Sequence, residues 1–292
     1  MIFNTPHQSR FLWRYAKRAV AALTLAFTGC QAQLLPARPT PMIGTIQLVV
    51  EDSAAPLLQD LTHAYPTGEL LLAWDIQVGD QRTVNLWLNT PADDPNTPPH
   101  YALTSHVPTD QSWWSTPIAQ DGLALVVNTS NPIVSLSPAQ LRSLFTGRVN
   151  TWRELGSFDV LTQPILRPPE SADAHHFRTF ILGDRPLSSN AIIAASSRQL
   201  IDQVSKIPGG IGMVSMRYLP LEPEKIRPVP IDGRLPTAQT VANGTYPLRY
   251  TLSFVGTKSP DPQKEVIYRN FFAWVQSEAG QAIVKQHYAG VR

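Results

Sequence analysis

From Thr45 onward the chain alternates compact apolar runs with segments whose apolar residues return every three or four positions. Residues 45–50 (TIQLVV) predict a strand. Leu57, Leu58, Leu61 and Tyr65 then share one helical face, so a tight turn and a helix follow that strand. Asp52 or Ser53 can cap the helix, and Pro56 falls in the first turn, where amides have no intrahelical partner. Pro66-Thr-Gly68 ends it, and 69–78 predict the next strand. Residues 83–88 alternate like a strand but also fit a helical turn. A proline-rich loop (89–99) follows, then a short buried strand at 101–105.

The middle of the chain has the clearest signals. Residues 123–127 (LALVV) form a continuous apolar run, read as a buried strand, with a turn at Asn131-Pro132. Ser137 followed by Pro138 marks a helix start. Leu141, Leu144 and Phe145 form that helix's apolar face, and Gly147 stops it. A surface segment carrying Trp152 comes next, then a strand ending at Arg167 and the mouth of another helix. Arg167 therefore stands beside first-turn amides, a seat suited to an anion.

A mixed helix or loop segment leads to 192–204, and 208–214 turn into a strand. Residues 226–231 are extended, and 246–255 form the last clear strand. Ile267, Phe271, Trp274 and Val275 make one helical stripe, and Ser277 can cap a second helix carrying Ile283 and Val284. Alternating strands and helices imply an α/β architecture. No internal repeat is evident.

Composition sharpens this. With 292 residues and 43% hydrophobic content the chain can hold two modest domains. Lys+Arg number 24 against 22 Asp+Glu, and Arg10, Arg14, Lys17 and Arg18 all precede Cys30, where no acid occurs. Removing that segment leaves 20 basic against 22 acidic residues, so the pI near 8.7 belongs to the precursor. Nucleic acid is not an expected partner. One cysteine excludes an internal disulfide and any multi-cysteine metal site.

The basic stretch runs into apolar 19–27 and then Thr28-Gly29-Cys30, a secretory signal pattern too short to span a bilayer. Cysteine after small residues is similar to a bacterial lipoprotein box. The expectation is a signal peptide at 1–29, lipidation of Cys30, and a Pro/Ala/Gln-rich tether at 30–43.

Several blocks resemble the substrate-binding protein family of phosphate-type ABC importers. Ser53-Ala-Ala-Pro-Leu-Leu is similar to that family's first strand-to-helix turn. Ala102-Leu-Thr-Ser105 resembles its "D-I-A-x-x-S" strand end, and 116–128 resemble its crossover strand. The segment 136–152 (LSPAQLRSLFTGRVNTW) resembles "L-t-x-x-q-l-x-x-I-F-x-G-x-i-x-x-W", the most specific block. Gly209-Gly-Ile-Gly212 and Ser277-Glu-Ala-Gly-Gln281 fit later ones. The pattern "R-x-x-x-S-G-T" stands here as Arg167-Pro-Pro-Glu-Ser171-Ala172-Asp173. Ala and Asp replace Gly and Thr, Tyr101 replaces an acidic residue, and Glu51-Asp52 replace small ones.

The resemblance implies a two-lobed, periplasmic-binding-protein-like α/β fold (type II), each lobe a mixed sheet flanked by helices. Lobe I is expected at 44–120 plus 248–292 and lobe II at 121–247. It implies a monomeric, extracytoplasmic, lipid-anchored protein that hands a small oxyanion, phosphate or similar, to an ABC permease, with no enzymatic activity, cofactor or metal. Candidate ligand residues are Ser53, Ala54, Ser105, Arg167, Ser171, Ala172 and Asp173. The alternative is a degenerate binding-protein fold serving as a sensory or protein-interaction module.

The chemistry of these residues points both ways. A guanidinium can hold an oxyanion through two parallel hydrogen bonds, and hydroxyls and amides add neutral donors. The blander reading has Ser53 and Ser171 capping helices and Arg167 pairing with Glu170 or Asp173. An ionised Asp173 about 4 Å from a bound anion would repel it by roughly 4 kcal/mol at an effective dielectric of 20, about three decades of affinity. A proton, Arg167 or a turned side chain would relieve that. Ser171, Asp173, His175 and His176 on one helical turn point around the cylinder instead of forming a relay, and no Gly-x-Ser-x-Gly elbow occurs. Trp113-Trp114 suit packing between lobes.

Overall fold

The computed structural model describes residues 43–67, 71–90, 100–108, 113–257 and 262–291. The expected signal peptide, Cys30, the tether up to residue 42 and most of the proline-rich loop lie outside the described residues. Met42–Arg292 forms one compact unit.

Strand β1 (Ile43–Glu51) is flanked in parallel by β2 (Leu71–Gly79) and β3 (Tyr101–Thr104). Helix α1 (Ala55–Ala64) joins β1 to β2 and buries Leu57, Leu58 and Leu61. Its N-cap is Ala54, with no side-chain cap, so neither Asp52 nor Ser53 does the capping expected of it. The ambiguous segment at 83–88 lies in a helix, α2 (Gln81–Leu88), because Asp80 caps it by accepting the Thr83 amide at 2.8 Å.

Strand β4 (Trp114–Asn128) organises the molecule. It is far longer than the apolar run that betrayed it. Its first half pairs antiparallel with β9 (Arg249–Gly256), which also pairs with β3. A register shift at Pro117, which has no amide to donate, interrupts that ladder. From Leu123 on it pairs instead with β7 (Gly210–Ser215), and β5 (Gln163–Leu166) and β6 (Ile192–Ile193) extend that side in parallel. The second half of β4 is buried on both faces, and therefore reads as unbroken aliphatics. Strand β8 (Ile226–Pro228) and β10 (Ala289–Gly290), the latter unforeseen, also pair with β4. Two mixed sheets thus share one strand. Gly122 sits at the handover, where a Cβ would come within 2.7 Å of Pro236.

Helix α3 (Pro138–Phe145) begins with a full capping box between Ser137 and Gln140, and Gly147, at φ 71°, follows its end. The expected surface Trp segment is a correction. Trp152 is fully buried, and its Nε1 donates to the Gly209 carbonyl at 3.1 Å. Trp113 and Trp114 are a second one. Trp114 stacks on Phe272 with centroids 5.4 Å apart and Trp113 packs against the cluster of Val49, Val84, Leu88, Ala102 and Val255, all on the β1–β3 side and not between the sheets. Helix α4 (Ala172–Phe177) runs into a π-turn at Arg178–Leu182. Helices α5 (Ser197–Lys206) and α6 (Ala238–Ala242) follow. Helices α7 (Pro262–Gln276) and α8 (Glu278–Val284), the latter capped by Ser277, complete the C-terminal end.

Candidate functional site

The C-terminal ends of β1, β3 and β5 and the start of α4 converge, and their polar residues are buried together. Glu51, at the end of β1, is completely buried. Its Oε2 accepts from the Thr104 hydroxyl (3.0 Å), the Ser105 amide (2.6 Å) and the Ser105 hydroxyl (2.7 Å). Burial pushes its pKa up, opposed by those bonds from Ser105 and Thr104. Its Oε1 has no hydrogen-bond partner.

Arg167 leaves the end of β5 and is also buried. One terminal nitrogen donates to the carbonyls of Ala194, at 3.3 Å, and Ala195. The other forms an ion pair with Asp52, the residue after Glu51. The Ala172 amide, in the first turn of α4, donates to the other Asp52 oxygen at a long 3.5 Å. Arg167 and the Ala172 amide thus converge on one carboxylate, supplied by the chain itself. The Arg167 Nε and the Ser53 hydroxyl remain buried without partners.

These contacts correct the pairings expected for Arg167 and bear out the helix cap expected of Ser171. Arg167 pairs with neither Glu170 nor Asp173, because Asp52 reaches it from the other sheet. The Ser105 hydroxyl is engaged by Glu51. The Ser171 hydroxyl caps α4, accepting the Ala174 amide at 3.3 Å and donating to the Pro168 carbonyl at 2.8 Å. Ser53, Ala54, Arg167, Ala172 and Asp173 are all at the convergence or bordering it. Tyr101 points elsewhere, packing on Tyr268 and Phe272 and donating to Glu265.

Asp173 is buried, with Oδ1 unpartnered and Oδ2 accepting from Ser197 at 3.4 Å. Burial, then the charges of Asp52 and Asp121, push its pKa up to about 8, with Arg167 opposing. A shift in that direction favours the protonated form, which eases the repulsion expected between Asp173 and an anion. Asp121 on β4, fully buried, is raised by burial to about 6. It accepts from the Tyr250 hydroxyl at 2.9 Å and the Gly122 amide at 2.7 Å.

Beside these carboxyls lie three imidazoles that sequence spacing did not bring together. The His106 ring, just past β3, is 4.1 Å from His175 and 5.6 Å from His176. His176 lies flat on Tyr250. Burial lowers His106 to about 4 and His176 to about 3, with neighbouring histidines adding to the shift. Both shifts favour the neutral imidazole at physiological pH. Among the described residues no group of three or more His, Cys, Asp or Glu side chains is placed to hold a metal ion.

The domain model described as "PBP superfamily domain" matches residues 100–279, more than half of the chain. The chain belongs to the PBP superfamily. Among curated proteins it is 31% identical over 131 residues to the phosphate-binding protein PstS of Bacillus subtilis, covering 45% of this chain and 43% of that one. With PstS of Pseudomonas aeruginosa it shares 26% identity over 183 residues, 58% of this chain and 57% of that one. The chain spans about half the length of the curated relatives it matches.

Solved structures extend the likeness in fold. A putative phosphate ABC transporter substrate-binding protein from Clostridium perfringens, with bound phosphate, matches at TM-score 0.73 and 21% identity, covering 85% of this chain and all of that one. An ABC-type phosphate transport receptor from Vibrio cholerae matches at 0.68 and 21%, covering 84% and 99%. The architecture is the two-lobed α/β fold of periplasmic binding proteins, the two sheets joined through β4.

Within this PBP superfamily member, Ser171, Asp173, His175 and His176 do not assemble a nucleophile relay. The Ser171 hydroxyl is spent on Pro168 and Ala174, and the His176 ring on Tyr250 and Phe180. Asp52 is the residue that sequence reasoning underrated. Its signals were a helix cap that it does not supply and an acidic pair where the family pattern has small residues, and its partner lies 115 positions away. Glu51 shared the acidic-pair signal, whereas Asp121, Tyr250 and His106 gave none.

Proposed function

We propose that this chain is the solute-binding protein of an ABC importer and that it captures a small oxyanion, phosphate or a similar ion, between its lobes. Lobe I comprises 44–120 with 248–292, and lobe II comprises 121–247. The observation that carries the reading is the convergence of the Arg167 guanidinium and the Ala172 amide on a single oxyanion group, the Asp52 carboxylate. Donors arranged to hold two carboxylate oxygens suit two oxygens of a tetrahedral anion. Arg167 Nε and Ser53 Oγ are further donors without an acceptor, and a buried donor left unpaired costs about 1–3 kcal/mol. The names of the relatives point to the same ligand, and the protein acts as a receptor without catalysis or cofactor.

The ion is bound by displacement and hydrogen bonding alone, with Ser53 and Ala54 on one side of it and Arg167, Ala172 and the protonated Asp173 on the other. Ser105 and Ser171 hold the walls through Glu51 and the α4 cap. The protein acts outside the cytoplasmic membrane as a monomer, held by lipid on Cys30, and delivers its ion to a permease. No helix among the described residues is long and apolar enough to cross a membrane. A thermal-shift panel of phosphate, sulfate, molybdate and small carboxylates tests the reading. A ligand at 100 times its Kd raises stability by about 2.7 kcal/mol; an unchanged melting temperature with every oxyanion at millimolar concentration refutes it.

A further inference from the structure

The same donors that suit a ligand are engaged by a carboxylate of the chain, and that carboxylate fills them incompletely. Asp52 takes one terminal nitrogen of Arg167 and, at 3.5 Å, the Ala172 amide. It leaves Arg167 Nε and Ser53 Oγ buried and unpartnered. An oxyanion with three or four acceptor oxygens offers these donors more acceptors than the Asp52 carboxylate does. The carboxylate has somewhere to go. Its side chain keeps a quarter of its surface exposed, against 9% for Arg167. It also lines an open groove of about 540 Å³ between α1 and β2, beside Pro56, Gln59, Trp74 and Val78.

The position of Asp52 also links the two sheets. It belongs to the turn after β1, whereas Arg167 and Ala172 follow β5. The ion pair therefore does across the cleft what a bridging ligand would do. A second cross-sheet pair, Arg217 with Asp60 of α1 at 2.7 Å, holds the same two parts together without touching the seat.

We propose that Asp52 is a built-in competitor for the oxyanion seat, a surrogate ligand that closes the lobes on themselves and must be displaced before an external anion binds Arg167. This rests on the oxyanion reading of the site and adds a specificity rule to it. An anion offering only two oxygens gains nothing over Asp52, so simple monocarboxylates are rejected. Tetrahedral oxyanions, which also satisfy Arg167 Nε and Ser53, are accepted.

The test is isothermal titration of inorganic phosphate into wild-type protein, Asp52→Asn and Asp52→Ala, with far-UV circular dichroism to establish folding. Both variants are expected to bind phosphate at least about tenfold more tightly than wild type. Equal or weaker binding by the folded variants, with wild type binding, overturns the competitor and leaves the seat intact. No binding of phosphate by any of the three proteins refutes the oxyanion seat itself. If neither variant folds, Asp52 is structural and the proposal fails. Removing a negative charge would aid an anion even without competition, so a crystal structure of wild type grown with phosphate is decisive on that point. It should show Asp52 turned into the groove; phosphate bound with the Asp52–Arg167 pair intact contradicts the proposal.

Discussion

His176 lies flat against Tyr250, with ring centroids 4.0 Å apart and planes 10° from parallel, and the hydroxyl of the same tyrosine donates to Asp121 at 2.9 Å. An α4 side chain is thereby stacked on a β9 residue that holds a buried carboxylate of β4. Tyr250→Phe keeps the stack and deletes the donor. Loss of a buried hydrogen bond to a carboxylate is expected to cost about 1.5–3 kcal/mol. Asp121 is raised to about 6, and the bond favours its ionised form, so the penalty in urea unfolding should be larger at pH 7.5 than at pH 5. An equal penalty at both would show that Asp121 does not titrate there.

Asp173 makes a second pH prediction. Its folded pKa of about 8 stands above the ordinary 3.8, so the folded state holds the proton more tightly. Its contribution to stability is full below pH 4 and is lost as pH rises to 8. His106 and His176, lowered from 6.5 to about 4 and about 3, act oppositely, losing stability as pH falls below 6.5. Above pH 6.5 and up to pH 8, His106 and His176 are neutral in the folded and the unfolded state alike, so of these three groups only Asp173 still titrates. Wild-type stability should fall there by up to about 1.4 kcal/mol per pH unit. Asp173→Asn should gain on wild type across that window; parallel stability curves would show Asp173 already ionised.

How much of this was legible before the structure follows from what each residue answers to. Leu123–Val127 and the Ser137-Pro138 start answer to local burial and capping, and they stood out. The first half of β4 shows no such local pattern, since Trp114-Ser-Thr-Pro117 and Gln120-Asp121 carry no apolar run and pair with a strand more than 120 residues later; only the resemblance of 116–128 to a crossover strand pointed to it. The polar neighbours of Trp152 suggest a surface position, whereas Gly209 supplies the buried carbonyl that its indole needs. Gly209 itself lies so close to the Leu161 carbonyl that a Cβ would be 1.8 Å from it, a constraint no local pattern reveals. In the site, Arg167 stood out by its position before a helix. Asp52 was visible only as a candidate helix cap and a departure from a pattern, since an ion pair across 115 residues leaves no periodic trace.

The anchoring proposal is independent of the site. Cys30→Ser should abolish incorporation of labelled fatty acid and release the protein from membranes. Continued labelling of the variant would place the lipid elsewhere or nowhere in this segment.

The central claim is that Arg167 seats an external oxyanion. Titration calorimetry of phosphate against wild type and Arg167→Ala tests it most directly. Wild type should give saturable heat with one site per chain, and Arg167→Ala should lose it, falling by at least about a hundredfold in affinity, as expected when a charged partner of a buried anion is removed. Phosphate binding of undiminished affinity in Arg167→Ala would contradict the account.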